Sequence, residues 1–358
     1  MDNHRLAKDL LLTLPVGISF YTFQSISYVI DVYRGKSEAE PHLGRYATFV
    51  AFFPQMVAGP IERFSQLNFQ LKEKHSIIYE NLSNGFRLML YGFFVKMAVA
   101  DNLSWYIDKI YENPARWSSP SVMLGCVFFS FQIYADFLGY TLIAQGTARL
   151  FGIKLIDNFR TPYSASSITV FWQRWHISLT SWFRDYVYIP LGGNRVNLMR
   201  WCINILIVFL LSGLWHGANY TFIIWGGIHG LFYLIERFTK SRFILSEKFP
   251  MLGAAKTFIV VTIAWIFFRA SDLEQVKAIF NAIFNPAEGA KFLPVFEPKM
   301  LVLLAFFIFT DLLLSRSRFD HYCETLHPVK RWIVYGFMIF SILALSGTTA
   351  HPFIYFRF

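Results

Sequence analysis

The chain has 358 residues, 55% of them hydrophobic and 16% charged, against roughly 25% charged in an average soluble domain. A water-soluble protein of this length needs more polar surface than that, so a membrane setting is expected. The net charge of +10 does not point to nucleic acid. Lys and Arg fall between apolar runs, in clusters such as Lys240-Ser-Arg242 and Arg316-Ser-Arg318, the pattern of loops held against anionic lipid or kept in the cytoplasm.

Met1–Asp9 is short and mixed in charge, with no charged region followed by a small-residue cleavage site, so no signal peptide is expected. A spanning helix needs about 20 mostly apolar residues, and candidate segments lie at about 11–33, 45–60, 84–101, 120–150, 201–215, 219–236, 254–270, 298–314 and 331–347. Several are short or interrupted by Pro and Gly, as at Pro54 and Gly59-Pro60, which suggests re-entrant or half-spanning pieces. No repeat and no linker divides the chain, so residues 1–358 read as one polytopic all-α bundle. The longest basic loop, 149–200, carries Arg149, Lys154, Arg160, Arg174, Arg184, Arg195 and Arg200, and the preference of positive residues for the cytoplasm places it there. Cys126, Cys202 and Cys323 are scattered without metal or redox spacing.

Within that loop, Ser167–Gly192 repeats apolar residues at three- and four-residue steps: Ile168, Phe171, Trp172, Trp175, Leu179, Trp182, Phe183 and Tyr186. At helical spacing they fall within an arc of about 120°, which predicts one amphipathic helix lying at the membrane interface. Ser167 is placed to cap its start, and Pro190-Leu-Gly-Gly to end it. His176 lies at the edge of the arc, where a hydrogen-bonded interfacial histidine and a cavity-facing one are both open readings.

His216 stands between two apolar stretches, 203–215 and 221–235, in Gly213-Leu-Trp-His216-Gly217-Ala-Asn219. An ionisable group at membrane depth costs roughly 2.5 kcal/mol or more unless it faces protein or water, so it reads as functional by default. Gly213 and Gly217 suit a broken helix, and a neutral imidazole there can take and return a proton. Asp136 lies in a run otherwise fit for lipid. An interhelical hydrogen bond that fixes packing and a functional carboxylate both fit it. His229, thirteen residues after His216, reads more readily as structural than catalytic. Metal-ligand spacing is absent around His176, His216 and His229, and no metal is expected. These features indicate buried proton-transfer groups without separating an enzyme from a transporter.

Several stretches carry a resemblance. They include Pro15-Val-Gly-Ile-Ser-Phe-Tyr21, Phe53-Pro54 to Gly59-Pro60, Tyr134-Ala-Asp136-Phe-Leu-Gly139-Tyr140 and Asn158-Phe-Arg160. More specific are Phe171-Trp172-Gln-Arg174-Trp175-His176-Ile-Ser178, Trp182-Phe-Arg184-Asp185-Tyr186 to Gly192-Gly193-Asn194-Arg195, and Trp215-His216-Gly217. Trp265-Ile-Phe-Phe-Arg269 and the terminal Phe353–Phe358 complete the set. In this order they resemble the membrane-bound O-acyltransferases (MBOAT), in particular the bacterial branch concerned with alginate O-acetylation.

The resemblance implies an MBOAT-like fold in the inner membrane and an O-acyltransferase that moves an acyl group, acetyl in this branch, from a cytoplasmic thioester toward hydroxyls of a cell-surface polysaccharide such as alginate. It implies His216 as the catalytic residue and His176 as a second histidine near the same tunnel. Arg174, Arg184 and Arg195 then read either as contacts for the donor's phosphates or as ordinary interfacial charges, Asp136 as a substrate-side carboxylate, and Asn219 or a backbone N–H freed at the Gly213–Gly217 break as an oxyanion donor. The donor is expected to be acetyl-coenzyme A or an acyl-carrier thioester, with no tightly bound cofactor and an extracytoplasmic acetyltransferase as partner. Leu138 and Leu142 stand where this branch usually has Ser and a second Asp, so that carboxylate's role is absent. Family members usually carry further spanning segments before the Pro15 stretch, so a chain lacking the family's N-terminal helices is expected. A transporter or flippase, or a non-catalytic scaffold of a polysaccharide-export complex, is the alternative.

Overall fold

The computed structural model describes residues 17–56, 59–239, 249–294, 298–345 and 353. The Pro15 start of the first motif, the Lys240–Arg242 cluster and residues 354–358 of the terminal motif lie outside them. The described residues are mainly helical and form no strand ladder, only an isolated bridge between Trp117 and Lys291. This is the all-α helical membrane bundle expected from composition, and a multi-pass one. Among the described residues, four helices are long and apolar enough to cross a membrane. A fifth candidate is the pair Met300–Arg316 and Phe319–Thr325, bent by 84° at its break.

In chain order, α1 (Ile18–Tyr33) is followed by two short helices, α2 (Leu43–Val50) and α3 (Phe53–Met56), and by α4 (Phe64–Lys72). The segment expected to span at 45–60 is thus a pair of short helices among the described residues. Phe52 and Pro54 interrupt it, because a proline removes a helical donor and restricts the residue before it. A long arm comes next: α5 (Tyr79–Phe93), a π-helical stretch (Phe94–Ala100) and α6 (Asp101–Glu112).

This arm runs antiparallel along α7 (Ser119–Leu150), which is about 48 Å long at 1.5 Å per residue. Small residues set the contact. A Cβ on Gly92 would stand 2.8 Å from the Gly139 carbonyl oxygen, and one on Gly139 would stand 2.9 Å from that of Gly92. Apolar helices gain no hydrophobic drive from meeting inside lipid, so such close backbone approach supplies their packing energy.

The segment 167–192 forms two helices rather than the single interfacial helix its periodicity predicts. They are α8 (Ile168–Arg174) and α9 (Ile177–Phe183), followed by a π-helical turn at Arg184–Tyr188. Ser167 does cap α8, accepting the Val170 N–H. The break falls at His176, whose φ of 42° is left-handed. Apolar spacing is nearly unchanged across one such residue, which is why periodicity alone misses it.

A tight helical hairpin follows, α10 (Leu198–His216) and α11 (Tyr220–Thr239), then α12 (Pro250–Arg269) and α13 (Leu273–Phe284). α13 was not expected as an element. Asp272 caps it by accepting the Gln275 N–H, and its buried stripe is only Val276, Ile279 and Ala282. The described chain closes with α14 (Pro298–Leu313), α15 (Phe319–Thr325) and α16 (Pro328–Leu345).

The α10–α11 hairpin is closed by two glycines. A Cβ at Gly213 would come within 2.3 Å of the Phe222 carbonyl oxygen, and a Cβ at Gly226 within 2.3 Å of that of Phe209. At the neighbouring Gly227 the nearest atom is the end of Leu210, 3.9 Å away. Gly226→Ala is therefore expected to force the two helices apart and destabilise the protein by about 1–3 kcal/mol, while Gly227→Ala leaves it unchanged. Thermal unfolding of the two variants in detergent, followed by size-exclusion chromatography, measures the difference.

Candidate active site

His216 is the last residue of α10 and is half-buried. Its ring lies against Trp215 (centroid separation 4.6 Å), Phe268 of α12 (4.9 Å), Trp225 of α11 (5.2 Å) and Phe222 (6.2 Å). The hairpin glycines set this geometry, because they hold Trp225 and Phe222 against the end of α10. Trp215 is fixed in turn by Phe20 and Phe23 of α1, and Phe23 also packs on Trp182 of α9 at 4.3 Å. Helix α1 thus joins the two elements that carry the histidines.

His176 is buried, with its ring edge-on to Phe137 of α7 at 4.6 Å. Its left-handed backbone carries about 1–3 kcal/mol of strain that surrounding structure must hold. Asn158 supplies the hold. Its carbonyl accepts the Ile177 N–H (2.9 Å), and its side-chain oxygen accepts the Ser178 hydroxyl (2.6 Å) and, more weakly, the Ser178 N–H (3.4 Å). The Asn158 amide in turn donates to Thr141 Oγ1 on α7. Burial pushes the His176 imidazole well below its ordinary pKa, and positive charge on His216 lowers it further. Two histidines 40 positions apart in sequence thus share one electrostatic environment, and His176 is neutral at physiological pH.

Behind them lies a continuous aromatic wall. Trp175 contacts Trp265 at 5.1 Å, Trp265 stacks on Trp225 at 5.8 Å, and Phe268 touches both Trp265 and Trp225. His229 is fully buried in the same wall, where its Nδ1 accepts the Trp172 indole N–H at 3.3 Å.

The other expected site residues are placed as follows. Asp136 is buried and pairs with Lys96 at 2.7 Å, and Lys96 also meets Asp101. The π-helical stretch carries Lys96 into this position, so Asp136 ties α7 to the arm, one residue from the Phe137 that touches His176. The Asn219 amide donates to the Ser271 carbonyl (2.6 Å) and its oxygen accepts the Thr221 N–H (3.1 Å), which joins the start of α11 to the turn before α13. Arg174 donates to Ser164 Oγ at 2.7 Å. Arg184 pairs with Asp185 at the edge of a cavity of about 390 Å³ between α8–α9 and α10–α11. Arg195 lies exposed in the turn after Gly193. Asn158 and Trp225 were missed as site residues, and only the Asn158-Phe-Arg160 motif hinted at the first.

The segment leading to Asn158 is itself anchored by Glu62, whose Oε1 accepts the Ile156 N–H at 2.7 Å. Burial pushes the Glu62 carboxyl up to about 7, against the lowering effects of the Ile156 hydrogen bond and the Arg63 charge. An acid with a raised folded pKa favours folding below its unfolded value, and that advantage falls as pH rises through the folded value. Stability from Glu62 is thus present below about pH 4.5 and lost toward and above pH 7, by up to about 3 kcal/mol. Glu62→Gln keeps the acceptor and removes the charge, so it is expected to raise the unfolding temperature at pH 8 and to change it little at pH 5.

Residues 38–271 match the model of the MBOAT, membrane-bound O-acyltransferase family. The chain is 41% identical over 274 residues to a protein of Pseudomonas putida named a probable alginate O-acetylase, covering 76% of this chain and 56% of that protein. It is 36% identical over 305 residues to a peptidoglycan O-acetyltransferase of Helicobacter pylori, covering 77% and 58%. It is 28% identical over 273 residues to a teichoic acid D-alanyltransferase of Bacillus subtilis, covering 71% and 67%. The chain thus spans little more than half the length of the first two of these relatives.

Proposed function

The chain belongs to the membrane-bound O-acyltransferase family, and on that premise we propose that it moves an acyl group, acetyl by likeness to its O-acetylating relatives, toward hydroxyls of a cell-surface polysaccharide. The observation that carries this reading is that His216, through Trp225, and the segment of His176, through Trp175 and Trp265, rest on one aromatic wall, with burial holding the His176 imidazole neutral. A neutral imidazole has a free nitrogen lone pair, which a general base requires. A hydroxyl attacking a thioester carbonyl forms a C–O bond and loses its proton to His216. The tetrahedral intermediate then expels the thiolate as the C–S bond breaks, and His216 returns the proton to sulfur. His176 is the second imidazole, held by Asn158, that keeps the site's charge low before attack.

In this reading the donor is acetyl-coenzyme A or an acyl-carrier thioester reaching the site from the cytoplasm. The protein lies in the inner membrane, with the basic 149–200 segment on the cytoplasmic side, and an extracytoplasmic acetyltransferase completes delivery to the polysaccharide. Alginate is the acceptor named by the Pseudomonas relative, and peptidoglycan the one named by that of Helicobacter. Both present sugar hydroxyls.

Removing a general base lowers turnover by about 10²–10⁴-fold. Ester-linked acetate on surface polysaccharide is therefore expected to vanish in cells whose only copy carries His216→Ala, at membrane abundance equal to the parent's. Undiminished acetylation in those cells would refute the acyl-transfer reading.

A further inference from the structure

Buried polar atoms normally find a partner, and a buried donor left without one costs about 1–3 kcal/mol. One such donor sits beside His216, and a second sits beside the first. Trp225 is 1% exposed and its ring meets that of His216 edge-on at 5.2 Å, yet its indole N–H has no acceptor among the described residues. One helical turn further along α11, His229 has none at Nε2. Its tautomer follows from its surroundings. Nδ1 accepts the Trp172 N–H, so the neutral ring carries its proton on Nε2.

Trp225 and His229 are four residues apart and so lie on one face of α11, with ring centroids 5.1 Å apart. The rings around them are held from every side: Trp265 and Phe268 against Trp225, and Phe171, Trp172 and Phe209 against His229. Neither donor is able to turn toward bulk water without breaking that packing. Asn219, three residues after His216, already has its amide on Ser271 and its oxygen on Thr221.

We propose that the Trp225 indole N–H and the His229 Nε2–H are the oxyanion donors of this site, receiving the carbonyl oxygen of the acyl thioester while His216 takes the proton of the attacking hydroxyl. The inference rests on the acyl-transfer reading above. Its chemistry is that of a fixed donor pair in a water-poor box. Charge grows on the carbonyl oxygen as the C–O bond forms and leaves it when the C–S bond breaks, and donors already in place stabilise it without reorganising. His216 is only half-buried, which gives the acyl group a side from which to approach, and the packed rings around Trp225 and His229 leave little room for water.

The test uses the protein in lipid nanodiscs with S-acetyl-4′-phosphopantetheine, the arm common to both classes of donor, carrying ¹³C at the carbonyl. Infrared difference spectra report hydrogen bonding to that carbonyl directly. Trp225→Phe removes the donor but keeps an aromatic ring, and benzothienylalanine at position 225 replaces only the N–H. Both are expected to raise the bound carbonyl frequency and to lower turnover about a hundredfold, with donor KM changed less than about threefold. His229→Phe should behave alike, whereas His229→Gln, which keeps an acceptor and a donor, should recover much of the rate. An unshifted carbonyl band together with parent-like turnover in both position-225 variants would overturn the proposal, as would a parent carbonyl showing no hydrogen-bond shift. His216→Gln separates the two claims: it should keep the shifted band and lose transfer. Transfer surviving His216→Gln defeats the base assignment, while the band continues to report on Trp225 and His229.

Discussion

The arrangement of the site depends on how closely α10 and α11 approach each other. With Gly213 facing the Phe222 carbonyl and Gly226 facing that of Phe209, the two backbones meet where any side chain would intrude. Inside lipid, helices associate by van der Waals packing and hydrogen bonding rather than by expulsion of water, so this contact is a main source of hairpin stability. It also presents Trp225 and Phe222 to the imidazole at the end of α10. Moving the helices apart by the width of a methyl group would remove the wall on which His216 rests.

A second constraint acts from the other side. His176 occupies a backbone conformation that L-residues avoid, and Asn158 holds it there through contacts with Ile177 and Ser178. Asn158 is tied to α7 through Thr141, and the segment before it to Glu62 through Ile156. Strain of this kind persists where several contacts over-determine it. Its effect is to end α8 two residues before the histidine and turn the imidazole inward against Phe137. The ion pair of Lys96 with Asp136 fixes the same stretch of α7 from behind.

Much of this was legible in the sequence, for identifiable reasons. Long apolar runs predict spans because the bilayer imposes a length, and 120–150, 201–215, 219–236, 254–270 and 331–347 each correspond to a helix. The run at 45–60 failed because apolar composition does not reveal where Pro54 and its neighbours interrupt hydrogen bonding. The single helix read across 167–192 failed because one left-handed residue barely alters the apolar period. Asp136 was read as either a packing or a functional carboxylate, and its partner Lys96 comes from a helix 40 residues away whose π-helical turn no local pattern announces.

The sequence by itself determined the environment and the chemistry on offer. Composition placed the chain in a membrane, and ionisable residues in apolar runs marked His216, His176 and Asp136, because burying such groups is costly without a purpose. The order of its motifs carried the family resemblance. Tertiary structure alone decided which groups meet. His216 and His176 come together because α1 bridges their elements through Phe23. Asn219 is engaged by Ser271 and Thr221, Arg174 by Ser164 and Arg184 by Asp185, and Arg195 is exposed. Among the described residues, Trp225 and His229 are left without an acceptor for their N–H groups by neighbours drawn from α8, α10 and α12. A hydrogen bond is a property of two atoms in space, and whether a buried donor has found its acceptor is not written in the identity of either residue.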